Sequence, residues 1–154
     1  MALENLRIDE LIFDVVEQIK TINPSFHFEV DVDEHIETEQ NLTISGNKKL
    51  LRLAFVNLVT NCIQYSSNKK GSIKIYNTDK KIILEFINAG NVIMESEKQF
   101  LFQHFFRGEN STGKRGFGLG LVLIYKIVTI HNGAVLYENS GNHKNTFRIS
   151  FPLS

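Results

Sequence analysis

The chain has 154 residues, with 17 basic and 17 acidic side chains and a formal net charge of zero. That length suits one domain with a sizeable core, and the balanced charge excludes a protein that holds nucleic acid or anionic lipid by bulk electrostatics. The single cysteine, Cys62, excludes an internal disulfide framework and a cysteine-rich zinc site, and the 42% hydrophobic content is that of an ordered globular chain.

Ile8, Leu11, Ile12, Val15, Val16 and Ile19 recur at helical spacing and predict a helix over Ile8 to Lys20. Asn23-Pro24-Ser25 ends it, because proline disfavours helical geometry in the residue before it. Phe26 to Val32 alternates as a half-buried strand does, and Leu42 to Ser45 reads as a short strand. A long helix is expected from about Lys48 to Ser66, with Asn47 as its N-cap. Ser72 to Tyr76 and Lys81 to Ile87 predict a hairpin turning at Asn77-Thr78-Asp79. A short amphipathic helix around Glu97 to Phe106 precedes a polar, glycine-bearing stretch, Arg107 to Arg115, of loop composition. Leu119 to His131 is helical in pattern with Asn132-Gly133 as its stop, and Val135 to Glu138 and Asn145 to Phe151 make a last strand pair. The order αββαββααββ predicts an α+β chain, a two-layer α/β sandwich with helices on one face of a mixed, mostly antiparallel sheet. Leu119 to Ile130, broken by Lys126, is too short for a membrane span, and the start Met-Ala-Leu-Glu-Asn lacks the layout of a signal peptide. The expectation is a soluble, cytosolic chain without membrane insertion.

Leu50 to Tyr65 is apolar almost all round, yet Asn57, Thr60, Asn61 and Gln64 fall within one arc of roughly 100°. Leu50, Leu53 and Ala54 hold the same arc one or two turns earlier, so one face changes from apolar to polar along its length. Two readings fit: the second half of the helix surfaces into water, or a polar ligand lies against it, since buried amides need partners.

Gly113-Lys114-Arg115-Gly116-Phe117-Gly118-Leu119-Gly120-Leu121 leads directly into a helix. Alternating glycines let backbone pass close to a ligand, and the first free amides of a helix point at an anion. With two cations just ahead of them, the arrangement suits a polyphosphate. The loop lacks the Gly-Lys-Ser/Thr ending of a P-loop, and no strand precedes it as a dinucleotide fingerprint requires.

Taken in order, these segments resemble the ATP-binding catalytic domain of bacterial sensor histidine kinases. That domain belongs to the wider group with the Bergerat fold, which includes gyrase, a heat-shock chaperone and mismatch-repair ATPases. The resemblance spans nearly the whole chain and implies a single catalytic domain over 1–154, with an ATP lid at about 107–118. Asn57-Leu58-Val59-Thr60-Asn61-Cys62-Ile63-Gln64-Tyr65-Ser66 resembles the N-box. The match implies that Asn61 offers its amide oxygen to Mg²⁺, Asn57 helps hold the phosphate and metal region, and Tyr65 packs beside adenine. Gln64 stands where a basic residue is common, which removes a charge from the phosphate site.

Asn88-Ala89-Gly90-Asn91-Val92-Ile93 falls where the family has Asp-x-Gly-x-Gly-Ile. Asn88 thus replaces the aspartate that meets the adenine amino group, Val92 replaces the second glycine, and Gly90 and Ile93 are kept. An amide can accept from that amine and donate to ring N1, or turn around to suit guanine. Phe102-Gln103-His104-Phe105-Phe106-Arg107-Gly108 resembles the F-box, with Phe106 beside the nucleotide. Arg107, Lys114 and Arg115 are implied phosphate contacts. Gly116, Phe117, Gly118, Leu119, Gly120 and Leu121 match the second glycine box. Asn145-Thr146-Phe147 partly keeps a final Gly-Thr-x-Phe box, with Thr146 as the candidate contact.

The hydrolytic relatives carry a glutamate where this chain has Asn57, and an amide does not serve as a base. The resemblance therefore implies γ-phosphoryl transfer from Mg-ATP to a supplied histidine, on a dimerising helical hairpin absent from this chain, with a response regulator downstream. None of the five histidines, His27, His35, His104, His131 and His143, lies in a phosphoacceptor box. His131 reads as structural. The chain is accordingly expected to be the catalytic part of a longer, membrane-anchored sensor, lying on the cytoplasmic side. Two other readings stand beside it: a stand-alone serine kinase that inhibits a sigma factor, and an adaptor of the same fold that has lost nucleotide.

Overall fold

A computed structural model describes residues 1–90, 117–139, 141 and 143–154. The chain runs β1 (Glu4–Arg7), α1 (Ile8–Ile22), β2 (His27–Val32), a 3₁₀ turn (Glu39–Leu42), β3 (Thr43–Gly46), α2 (Lys48–Tyr65), β4 (Lys70–Asn77) and β5 (Lys81–Ala89). After residues 91–116 come α3 (Phe117–Ile130), β6 (Ala134–Asn139) and β7 (Lys144–Pro152). The amphipathic helix expected around Glu97 to Phe106 and the loop Arg107 to Arg115 lie outside the described residues.

Five strands form one sheet in the order β2-β4-β5-β7-β6. Only β2 and β4 are parallel, and the other pairs are antiparallel. The expected mixed, mostly antiparallel sheet is thus present, and α1, α2 and α3 make the second layer, with α2 packed against both other helices and against β5. On β5, Ile82, Leu84 and Phe86 are fully buried toward the helices, and Phe86 stacks on Phe55 of α2 with ring centroids 6.2 Å apart. Truncating Phe55, itself fully buried, removes a ring from the centre of this core. Phe55→Ala is expected to cost about 3–5 kcal/mol, read as a lowered midpoint in urea with an unchanged slope.

The helix ends follow their local chemistry. The Asn47 side chain accepts from the Leu50 N–H at 3.0 Å, which caps α2 as expected. Helix α3 closes in a Schellman motif: Asn132 takes a positive φ of 61°, its N–H donates to Thr129, and Gly133 N–H donates to Val128. Asparagine therefore takes the left-handed position. Gly133 answers a different need, because a Cβ there would run into the Ser150 carbonyl of β7. Buried His131 ties these ends together. Its Nε2 accepts from the Asn47 N–H at 3.0 Å, and its Nδ1 lies 2.7 Å from the Ile127 carbonyl, so the neutral Nδ1–H tautomer satisfies both partners. This is the structural role expected of it. His131→Ala leaves two buried backbone groups without partners and is expected to cost about 2 kcal/mol, measurable by thermal unfolding.

Two local expectations are corrected. β1 has no counterpart in the sequence reading; it pairs antiparallel with β3, setting Leu6 opposite Ile44, in a two-stranded sheet apart from the main one. Four residues with one buried side chain carry no usable periodicity, and the pairing partner lies far along the chain. Helix α3 also begins at Phe117 rather than Leu119, so the backbone of Phe117 and Gly118 is already helical.

Candidate functional site

The site lies where the carboxyl end of α2 meets the end of β5. The two are stitched by backbone just past α2, where Ser67 N–H donates to the Ala89 carbonyl at 2.8 Å, and Gly90 N–H donates to the His143 carbonyl at 2.7 Å, tying the end of β5 to the start of β7. Gly90 presses against the last turn of α2 so closely that a Cβ would overlap the Tyr65 carbonyl oxygen. No other residue type permits that approach.

Beside this junction are buried amides. Asn61, one turn before Tyr65, is 7% exposed, and Asn88, next but one to Gly90, is 4% exposed. Among the described residues the Nδ2 of each has no hydrogen-bond partner. An unpaired buried donor costs about 1–3 kcal/mol, and two at one junction of helix and sheet mark a place where a polar ligand would repay the cost. Asn88 extends the row Ile82, Leu84, Phe86 on β5, and side chains alternate along a strand, so it lies on the helix side of the sheet.

The polar arc on α2 sorts by depth. Asn61 is buried, while Asn57, Thr60 and Gln64 are half-buried. Asn57 turns back on its own helix, its Nδ2 donating to the Leu53 carbonyl at 2.8 Å, and Leu53 beneath it is exposed. The polar arc is thus partly open at Asn57, Thr60 and Gln64 and closed at Asn61, so the helix does not simply surface over its second half. Tyr65 is buried at 8% exposure at the end of the helix. Cys62, on the inner side of the same turn, is fully enclosed, and burial pushes its thiol up to about 12. Its folded value lies above the ordinary one, so the thiol favours the fold below about pH 9 and loses that contribution as pH rises toward 12. Native protein at pH 8 is expected to resist a thiol reagent that labels the urea-unfolded chain within minutes.

Thr146 is not brought to this junction. It pairs with Ile87 across the β5–β7 ladder, which places its side chain on the face away from the helices, one residue out of step with Asn88. The residue opposite Asn88 is Asn145, buried at 3% exposure, whose Oδ1 accepts from the Tyr137 hydroxyl. The sequence reading passed over Asn145 and Tyr137. The strand alternation that buries Phe147, Ile149 and Phe151 puts Asn145 on the inner face, and that signal was available. Leu121 is fully buried in α3. Ile93, Phe106, Arg107, Lys114, Arg115 and Gly116 lie outside the described residues, and of Phe117, Gly118, Leu119 and Gly120 only the helical backbone is described.

An open cavity of 570 Å³ also borders Asn88, lined by His27, Glu29, Lys70, Ser72 and Lys144 among others. By alternation these five side chains lie on the outer face of the sheet. Among the described residues, no group of three or more His, Cys, Asp or Glu could hold a metal by itself.

Comparison with known proteins bears on this arrangement. The chain resembles the solved mycobacterial sensor histidine kinase MprB, at 24% identity and a TM-score of 0.83 with 97% of each chain covered. It resembles the catalytic domain of histidine kinase ThkA at 25% identity and a TM-score of 0.81 with 99% of each covered. The signal transduction histidine-protein kinase ArlS of Staphylococcus aureus (strain USA300) is 28% identical over 151 residues, 96% of this chain. The chain spans about a third of that relative, 32% of its length. The architecture is that of histidine kinase catalytic domains, and residues 46–154, from the end of β3 through both asparagine-bearing elements to the last strand, match one family throughout. This chain belongs to the histidine kinase-, DNA gyrase B-, and HSP90-like ATPases.

Proposed function

We propose that the chain, over all of 1–154, is the ATP-binding catalytic domain of a two-component sensor histidine kinase. On this reading it binds Mg-ATP and donates the γ-phosphoryl group to a histidine on a separate dimerisation and phosphoacceptor domain. The observation that carries the proposal is the pair of buried amides, Asn61 and Asn88, whose Nδ2 groups find no partner among the described residues, at the α2–β5 junction of a chain from an ATPase family. Asn88 lies at the base end and Asn61 at the phosphate end, with Tyr65 between α2 and the base.

The residues fit magnesium. A neutral amide with no carboxylate cage suits a cation that keeps waters and takes most of its oxygens from substrate phosphates, with the Asn61 amide oxygen as the protein donor. When bound, the ion neutralises phosphate charge and polarises the transferring group. Asn57 donates to its own helix and offers no base, so the chain positions ATP for transfer and does not activate water. Arg107, Lys114 and Arg115 supply cations to the phosphates, and the second glycine box, Gly116 to Leu121, offers them backbone amides. Ile93 and Phe106 pack on the nucleotide.

The partners on this reading are the helical hairpin of the same kinase and, beyond it, a response regulator. Among the described residues no helix is long and apolar enough to cross a membrane. The domain works at the cytoplasmic end of a membrane-anchored sensor. No observation favours the sigma-factor kinase or the adaptor that has lost nucleotide. The test is phosphotransfer in trans. The chain is mixed with γ-labelled Mg-ATP and a dimeric hairpin carrying a phosphoacceptor histidine. Acid-labile label on the hairpin, absent when its histidine is alanine, is the expected result. No label despite saturable ATP binding would overturn the kinase assignment.

A further inference from the structure

We propose that this site reads its purine with an amide that can present either edge, so that the chain takes adenine and guanine nucleotides alike. The inference rests on the nucleotide reading above and deepens it. Asn88 is 4% exposed, and its Nδ2 has no partner. Nothing among the described residues holds this amide by a hydrogen bond. Its cross-strand neighbour Asn145 is in the opposite condition: the Tyr137 hydroxyl donates to its Oδ1 and so sets which way round that amide lies. One amide of the pair is keyed and the other is free to turn over.

The chemistry follows from the atoms. A carboxylate offers acceptors only, whereas an amide sets an acceptor beside a donor. Adenine presents an amino donor at C6 and an acceptor at N1. Guanine presents the reverse, an oxygen acceptor at C6 and an N1–H donor. Asn88 meets adenine with Oδ1 toward the amine and Nδ2 toward N1, and it meets guanine after a half-turn of the amide. Both pairings use two hydrogen bonds, and both satisfy the Nδ2 that the protein leaves unpaired. An aspartate here would face guanine O6 with another acceptor and reject it. A bidentate match against a mismatch is worth about 1–3 kcal/mol, or roughly 5- to 150-fold. Among the described residues, the buried polar side chains on the inner face near Asn88, namely Asn61, Asn145 and Tyr137, include no carboxylate, ammonium or guanidinium group to favour one base.

Calorimetric titration of the chain with Mg-ATP and Mg-GTP, alongside Asn88→Asp, tests this. The expected wild-type affinities for the two nucleotides lie within tenfold of each other. Asn88→Asp is expected to shift the ratio toward ATP by at least tenfold, mainly through loss of GTP. A wild-type preference beyond tenfold for either base, or an unchanged ratio in Asn88→Asp, would overturn the inference while leaving the kinase reading intact. Binding of neither nucleotide would remove both. If Asn88→Asp does not fold, as judged by circular dichroism, Asn88→Ala decides. An equal loss of ATP and GTP affinity supports the proposal, and an unequal loss or none sinks it.

Discussion

Asn61→Ala is expected to lose up to about 100-fold in Mg-dependent ATP affinity while its unfolding free energy stays within about 1 kcal/mol of wild type. The two halves of that expectation come from the same atom group. Losing a hydrogen bond or ligand contact to a charged group costs about 1.5–3 kcal/mol, and 100-fold is about 2.7 kcal/mol. In the unliganded fold, however, the Asn61 Nδ2 is buried and unpaired, so its removal relieves a desolvation penalty that offsets the lost packing. Titration with ATP, with and without magnesium, and urea unfolding of the same samples make the comparison. Unchanged Mg-ATP affinity would contradict the assignment. A loss of several kcal/mol of stability would show that Asn61 is a structural residue.

Gly90→Ala is expected to cost about 3 kcal/mol or more and to reduce nucleotide binding as a consequence. A Cβ there overlaps the backbone carbonyl of Tyr65, and no rotamer change can relieve a clash with backbone. The strain must part the end of β5 from α2, breaking the Ser67 to Ala89 bond. Gly141 is the control. Its φ is +79° but a Cβ would meet nothing within 4 Å, so Gly141→Ala should cost only the left-handed backbone penalty, about 1–2 kcal/mol. Thermal unfolding of both variants separates the two mechanisms. Equal costs would mean that the contact with the Tyr65 carbonyl relaxes without parting β5 from α2. Gly90 thus holds the end of α2 and the end of β5 together, whatever contact it makes with a nucleotide.

What could be read along the chain was whatever repeats locally. Ile8 to Ile19, the α2 apolar sequence with its Asn47 cap, and the β4–β5 hairpin each announce themselves within a few residues, because side-chain period and capping chemistry act over one or two turns. The ordered asparagine and glycine boxes added the family, and with it the sandwich. The observed helices, sheet and residues 46–154 agree with that reading. β1 escaped because its stability comes from a partner some forty residues away and not from its own pattern. The box match points to Thr146, because a motif counts residues, while the strand alternates them between faces and turns Asn145 inward.

The sequence alone determined that this chain carries amides and glycines, and no catalytic carboxylate, in the boxes of an ATP-binding domain. Only the tertiary structure decided which of them share one wall. It buried Asn61 and Asn88 with their donors unpaired, turned Asn57 back onto its helix, and set Asn145 opposite Asn88 under the Tyr137 hydroxyl. The physical reason is that spacing fixes a residue's direction from its own element. Whether a polar group there meets protein, water or nothing depends on what the other layer brings against it.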